Sequence, residues 1–231
     1  ANRWLYYADN GVQVRFGVRA LQDSRKGGQE GYDHDSFTFD PDASDEKGKT
    51  YAPWGSDIMN RSINGYLKVG VPLNEENSQN IALVADYNYY DMDSYFGATK
   101  YLAGQHSGFL NLLYQNEVNE SHKFTVGLSA NYDRFNEDLM RYVPGIADPS
   151  VKPGNTNLLN TGIFGEYTFH AGEKFSLIGG LRGDWYNENG FKVTPRLTLK
   201  YSPIDEIVIR ANGGRGLRYA TPLVDNIGVF S

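Results

Sequence analysis

The stretch KFTVGLSANYD, residues 123–133, alternates without a fault. Phe124, Val126, Leu128, Ala130 and Tyr132 take every second place, with Thr125, Gly127, Ser129, Asn131 and Asp133 between them. Successive side chains of a strand point to opposite faces, so this run is a strand with one apolar and one polar face. The pattern returns in VQVRFGVRA (12–20), INGYLKVGV (63–71), FSLIGGLRGDW (175–185), VTPRLTLKY (193–201) and IVIRANG (207–213). Weaker versions lie near 80–90, 108–116 and 161–169, and NRWLYY ends another strand. No stretch shows convincing helical spacing, so the expectation is an all-β antiparallel up-and-down meander of about nine or ten strands.

Such alternation suits a soluble sheet with one wet face as well as a membrane barrel. Three features favour the barrel. The apolar faces carry no charged residue. Many strands run about 10 residues or longer, the length a tilted membrane strand needs. Aromatics cluster at strand ends, with Phe124, Phe169, Phe175 and Tyr201 beside short turns and Tyr89, Tyr132 and Trp185 toward the other end. Connections also alternate in length: 8–11, 72–79, 116–122, 170–174 and 202–206 are short, while about 23–59, 91–106 and 136–157 read as long extracellular-type loops. NENG at 187–190 breaks that rule.

Composition closes other routes. The 231 residues include 17 Tyr and 12 Phe, which is not the make-up of a disordered chain. A formal charge of -6 argues against a nucleic-acid partner, which asks for a basic footprint. Without cysteine there is no disulfide framework, thiolate metal site or Cys nucleophile. No run approaches the ~20 apolar residues of a spanning helix, which says nothing about a barrel.

The segment VTPRLTLKYSPIDEIVIRANGGRGLRYATPLVDN (193–226) resembles TonB-dependent outer-membrane receptors. The matching residues are Pro195 and Arg196, the Ser202–Pro203 turn, the inward Arg210, and then Gly214, Gly216, Arg218, Pro222, Asp225 and Asn226. Leu217 stands where the family often has an aromatic, and Pro222 comes one place late. NRWLYYADNGVQVRFGVRALQDSRKGGQ is similar to a mid-barrel strand pair. The resemblance implies that residues 1–231 are part of a 22-stranded transmembrane barrel, with the plug domain and the remaining strands absent. It also implies a Gram-negative outer-membrane location, lipid contact, and energy-coupled uptake of a scarce nutrient: ferric siderophore, cobalamin, haem or oligosaccharide. The inner-membrane TonB complex would act through the plug. A part-barrel has two open sheet edges, so such a piece is expected to self-associate. The alternative is a soluble β-rich carbohydrate-binding or adhesion module.

Candidate functional residues follow. Inward-facing cations, namely Arg15, Arg19, Lys68, Arg182, Arg196, Lys200 and Arg210, would meet a plug or line a watery lumen, set against Asp86, Asp133, Glu166 and Asp184. Tyr51, Trp54, Tyr95, Phe96, Arg141 and Tyr142 lie in the expected loops and can hold a small ligand, or can simply pack those loops. The 23–59 segment holds nine acidic and four basic residues. Asp33, Asp35, Asp40 and Asp42 are therefore Ca²⁺ candidates, but the segment lacks the glycine and glutamate of an EF-hand loop. No cofactor is expected otherwise. GGRG lacks the strand–loop–helix setting and Lys-Ser/Thr of a phosphate cradle. His106–Ser107 is an adjacent His/Ser pair, but neighbours on a strand face opposite ways, so no catalytic constellation is expected and the chain reads as a non-enzyme.

Overall fold

The structure, a computed structural model, describes residues 2–34, 53–74, 76, 78–97, 99–141, 150–204 and 206–217. Ten strands among them form one antiparallel sheet, each hydrogen-bonded to the next in sequence. They are β1 (Asn2–Tyr7), β2 (Gln13–Gly28), β3 (Gly55–Pro72), β4 (Gln79–Phe96), β5 (Thr99–Asn119), β6 (His122–Arg141), β7 (Ser150–Ala171), β8 (Phe175–Tyr186), β9 (Gly190–Ile204) and β10 (Ile207–Gly214). This is the expected all-β meander.

Residues paired across a ladder share a face, so the register carries each face across the sheet. One rung reads Trp4, Phe16, Leu67, Ala85, Leu110, Ala130, Thr161, Trp185 and Phe191 over nine strands. The rung beside it, on the other face, reads Leu5, Arg15, Lys68, Val84, Asn111, Ser129, Gly162, Asp184 and Lys192. The strands thus agree on one apolar side and one polar side.

Exposure runs opposite to a water-soluble sheet. Leu128 and Ile163 on the apolar side are 54% and 62% exposed, while Ser129 and Asp184 on the polar side are 6% and 2% exposed. An apolar surface this broad is stable only in an apolar solvent. Rings mark its two borders. At the turn end Tyr114 meets Phe124, His122 meets Phe169, and Phe169 meets Phe175 at centroid distances of 6.0, 5.2 and 6.4 Å. At the other end Tyr87 and Tyr89 both lie against His106. From Phe124 to Tyr132 the belt spans about 26 Å along the strand at ~3.3 Å per residue, which a tilted strand uses to cross a bilayer.

The strands do not stop at the belt. β7 has 22 residues and β5 has 21, twice what a crossing needs. This corrects the three expected long loops. Residues 23–28 and 55–59 are strand, 91–96 and 99–106 are strand with a turn at Gly97, and 136–141 with 150–157 are strand. Above the belt the polarity reverses. Asp91 and Asp93 now face outward, paired with Gly104 and Leu102. The buried apolar side chains Met92, Phe96, Tyr101 and Leu158 face inward. Carboxylates out and apolar residues in is the order of a strand with water on its outer side.

Candidate functional site

The polar face is built around one filled notch. Phe164 crosses over Gly127, where a Cβ would stand 2.5 Å from its Cζ, and Arg182 lies 5.6 Å from the Phe164 ring centre. From there Arg182 donates from Nε and Nη2 to the two oxygens of Asp184, both at 2.6 Å, and from Nη2 to Ser129 Oγ at 2.6 Å. Gly162 sits opposite Asp184, and any Cβ there would land on the Asp184 carboxylate. Asp184 is thus buried but fully paired, which is how a buried charge is retained. Next to it Arg196 pairs with Glu166. A hollow of about 340 Å³ opens beside these two pairs, with Thr194 and Arg215 on its wall.

The other inward acids are engaged as well. Asn64 donates to both oxygens of Asp86 at 3.0 and 3.1 Å. Ser107 and Gln105 donate to Asp133 at 2.6 and 3.2 Å. Tyr101 donates to Glu137 at 2.6 Å, and Ser94 donates to the Tyr101 carbonyl at 2.9 Å. Burial first, and then the bond to Glu137, hold the Tyr101 phenol well above the ordinary tyrosine value.

Several inward cations, by contrast, have no acid. Arg15 lies directly opposite Lys68, beside a hollow of about 650 Å³ that also touches Arg3, Tyr66, Asp86 and Phe109. Lys200 lies directly opposite Arg210. Arg19 lies opposite Asn64. None of Arg15, Arg19, Lys68, Lys200 and Arg210 has an ion pair among the described residues. Like charges across a ladder repel, so both clusters leave positive charge unmatched within this sheet.

The expected ligand residues are spread over both faces. Tyr95 points outward, stacked on His34 at 4.2 Å with the Lys100 amine 5.1 Å from its ring. His34 Nδ1 and Lys26 Nζ lie 3.1 and 3.0 Å from Asp57. Phe96 points inward and is buried. Trp54 lies across Gly97, whose φ is +54° and whose Cβ would stand 2.8 Å from the indole. Arg141 ends β6 opposite Thr99. Tyr51 and Tyr142 lie outside the described residues, as do Asp35, Asp40 and Asp42, while Asp33 is exposed. No group of three or more metal-ligating side chains is arranged for a cation among the described residues. His106 and Ser107 face opposite sides, bonded to Tyr87 and Asp133 respectively.

Of the motif residues, Pro195 faces outward opposite Leu181, and Gly214 closes against Arg196 with no room for a Cβ beside the Pro195 carbonyl. Gly216 has open space around it. Arg218, Pro222 and Asn226 lie outside the described residues. Sequence reasoning found the inward charges one by one. It missed Ser129, Gly162, Tyr101 and Glu137, because partners set by a register across strands leave no local signal.

A long-stranded meander, apolar and exposed outside, charged and covered inside, defines the wall of a membrane β-barrel. The chain belongs to the TonB-dependent receptor family: the model described as "TonB dependent receptor-like, beta-barrel" matches residues 2–229. That family is one of receptors of the Gram-negative outer membrane, not of enzymes. Three solved structures are similar in fold. They are P. aeruginosa FpvA bound to heterologous pyoverdines (TM-score 0.56, 13% identity, 87% of this chain and 32% of that chain), the alcaligin outer-membrane receptor FauA from Bordetella pertussis (0.53, 12%, 84% and 31%), and BauA, the ferric preacinetobactin receptor from Acinetobacter baumannii (0.58, 13%, 90% and 38%). This chain spans about a third of the length of each. A comparison with curated proteins gave no match.

Proposed function

We propose that this sheet is part of the wall of an outer-membrane receptor that imports a scarce nutrient by energy-coupled transport. The observation that carries the proposal is the reversed polarity of the sheet. Its exposed apolar belt suits lipid, and its unmatched cations Arg15, Lys68, Lys200 and Arg210 suit a lumen with charged contents. Further strands would complete the barrel, and a plug within it would couple to the TonB complex of the inner membrane. Ligand capture falls to the loop end, where Tyr51, Trp54, Tyr95, Phe96, Arg141 and Tyr142 are the candidates. A ferric siderophore is the first ligand to test, because the three similar folds are receptors of that class; cobalamin, haem and oligosaccharide follow.

The test uses the full-length gene product. It should co-fractionate with the outer membrane, and cells grown under iron limitation should take up iron-loaded siderophore only with the receptor present and the proton gradient intact. A freely soluble full-length product would overturn the reading. Uptake that persists after the gradient is collapsed would overturn the energy coupling.

A further inference from the structure

The inner side of β9 alternates cation and hydroxyl. Lys192, Thr194, Arg196, Thr198 and Lys200 take every second place, so all five side chains share that face. At ~3.3 Å per residue the row is about 26 Å long, the height of the apolar belt on the other side. β8 and β10 widen the row into a strip. Arg182 lies directly opposite Thr194, Asn212 opposite Thr198, and Arg210 opposite Lys200.

Charge on this strip is unbalanced. Asp184 on β8 is held by Arg182, and Glu166 on the neighbouring β7 by Arg196. Lys192 stands opposite Asp184, but Arg182 already donates to both of its oxygens. Lys192, Lys200, Arg210 and Arg215 have no ion pair among the described residues. A wall whose acids are all engaged and whose cations are not draws anions to itself.

Partway up the strip lies the 340 Å³ hollow beside the Arg182 and Arg196 pairs. It exists because one rung reads Glu166, Gly180, Arg196 and Gly214, which sets a glycine on either side of Arg196. Arg182, Thr194, Arg196 and Arg215 line it, and Glu166 is the one acid on its wall. With Arg182 and Arg196 balanced by their carboxylates, Arg215 leaves the hollow positive. Arg196 bonds Glu166 through Nη2, so its other N–H groups remain to donate. Guanidinium N–H groups beside a threonine hydroxyl are donors suited to the oxygens of a carboxylate or phosphate.

We propose that this hollow binds oxyanion groups, carboxylate or phosphate, carried by the imported nutrient, and that the strip of β8–β10 passes such anionic cargo along the inner wall. The inference rests on the proposed transport function. Lys192 stands above the hollow and Lys200 with Arg210 below it, so an anion leaving Arg196 meets a free cation about 13 Å along β9 in either direction. Thr194 and Thr198 offer hydroxyl donors between them. A cationic cargo finds no free acid on this strip. The competing occupant is a carboxylate of the protein's own chain, fixed on these cations.

The test is isothermal titration calorimetry of the full-length receptor in neutral detergent at low salt. The probes are propane-1,2,3-tricarboxylate and pyrophosphate, with the trimethyl ester of the tricarboxylate as the uncharged control. At least one anion should bind at one per barrel, and the ester should not bind. Arg215→Gln should weaken binding about fivefold, the loss of one charge-assisted contact at an exposed site. Arg215→Lys, which keeps the charge, should restore most of it. Gly180→Leu should abolish binding while the barrel melts as before, because a Cβ there meets only ordinary contacts at 3.7 and 3.9 Å. No binding of either anion, equal binding of the ester, or indifference to Arg215→Gln and Gly180→Leu would each overturn the proposal. So would an Arg215→Gln receptor that melts lower while neither anion binds the parent, because a carboxylate of the chain itself then holds the cations. A receptor that reaches the outer membrane and transports but ignores both anions sinks this inference alone. One that never reaches the membrane sinks the transport reading.

Discussion

Arg182 and Asp184 stand two residues apart on one face of β8 and are joined by two 2.6 Å hydrogen bonds, with Asp184 all but sealed from solvent. The pair fits because β7 offers Gly162 opposite Asp184 and β6 offers Ser129 as a second hydrogen-bond partner for Arg182. β6 and β8 are therefore tied across β7 through one guanidinium on the polar side of the sheet. The polar face supplies side-chain specificity; the apolar face supplies compatibility with lipid.

Breaking that tie should be costly. Asp184→Ala leaves a half-buried guanidinium without its carboxylate, and Gly162→Ala forces the carboxylate aside. Each should lower the stability of the full-length barrel by about 3 kcal/mol, the usual size for one lost partner of a buried pair. Urea midpoints in detergent give the readout, and a Gly162→Ala barrel as stable as the parent would contradict the packing.

The two faces should answer the same substitution differently. Leu128→Arg places a charge in the middle of the belt and should cost about 2–4 kcal/mol in lipid vesicles. Asn131→Arg, three residues on, facing inward and only half-buried, should cost under about 1 kcal/mol, because it adds its charge to the polar side. Equal costs at the two sites would mean that the outer face does not lie in lipid.

How much of this was legible in the sequence depended on the solvent each segment meets. Residues 123–133 show their faces at a glance, because one side is apolar throughout and the other polar throughout. Residues 91–106 read as a loop because the pattern there changes sign: Asp91 and Asp93 go out while Met92, Phe96 and Tyr101 go in. A period of two survives the change, but a search for one continuous apolar face breaks at Asp91. The inward charges were each visible, whereas the pairing of Arg182 with Ser129, 53 residues away, follows only from the register of three strands.

Both outer strands of the sheet, β1 and β10, have one unpaired edge among the described residues. Open edges offer a full row of backbone donors and acceptors to any other strand. Residues 1–231 made alone should therefore form oligomers through those edges, and the exposed belt should add to it in water. Size-exclusion chromatography with light scattering distinguishes this from a monodisperse detergent-free monomer, which would count against both the edges and the belt.

The last prediction concerns Tyr101, above the belt at the loop end. Burial and the Glu137 bond favour its neutral form, so the folded phenol ionises well above the ordinary value of 10.0. Below pH 10 the phenol is protonated whether the chain is folded or not, and it adds no pH dependence. Above pH 10 the unfolded phenol loses its proton while the folded one keeps it, so stability falls with rising pH, by up to about 1.4 kcal/mol per unit from this group. Tyr101→Phe removes the hydrogen bond and should cost about 1–2 kcal/mol at pH 8. Because the variant also lacks the titration, its deficit should shrink between pH 10 and 11. Urea midpoints of the two proteins at pH 8, 10 and 11 give the comparison. A deficit that stays constant across that range would mean that Tyr101 titrates as a free tyrosine and is not held by Glu137.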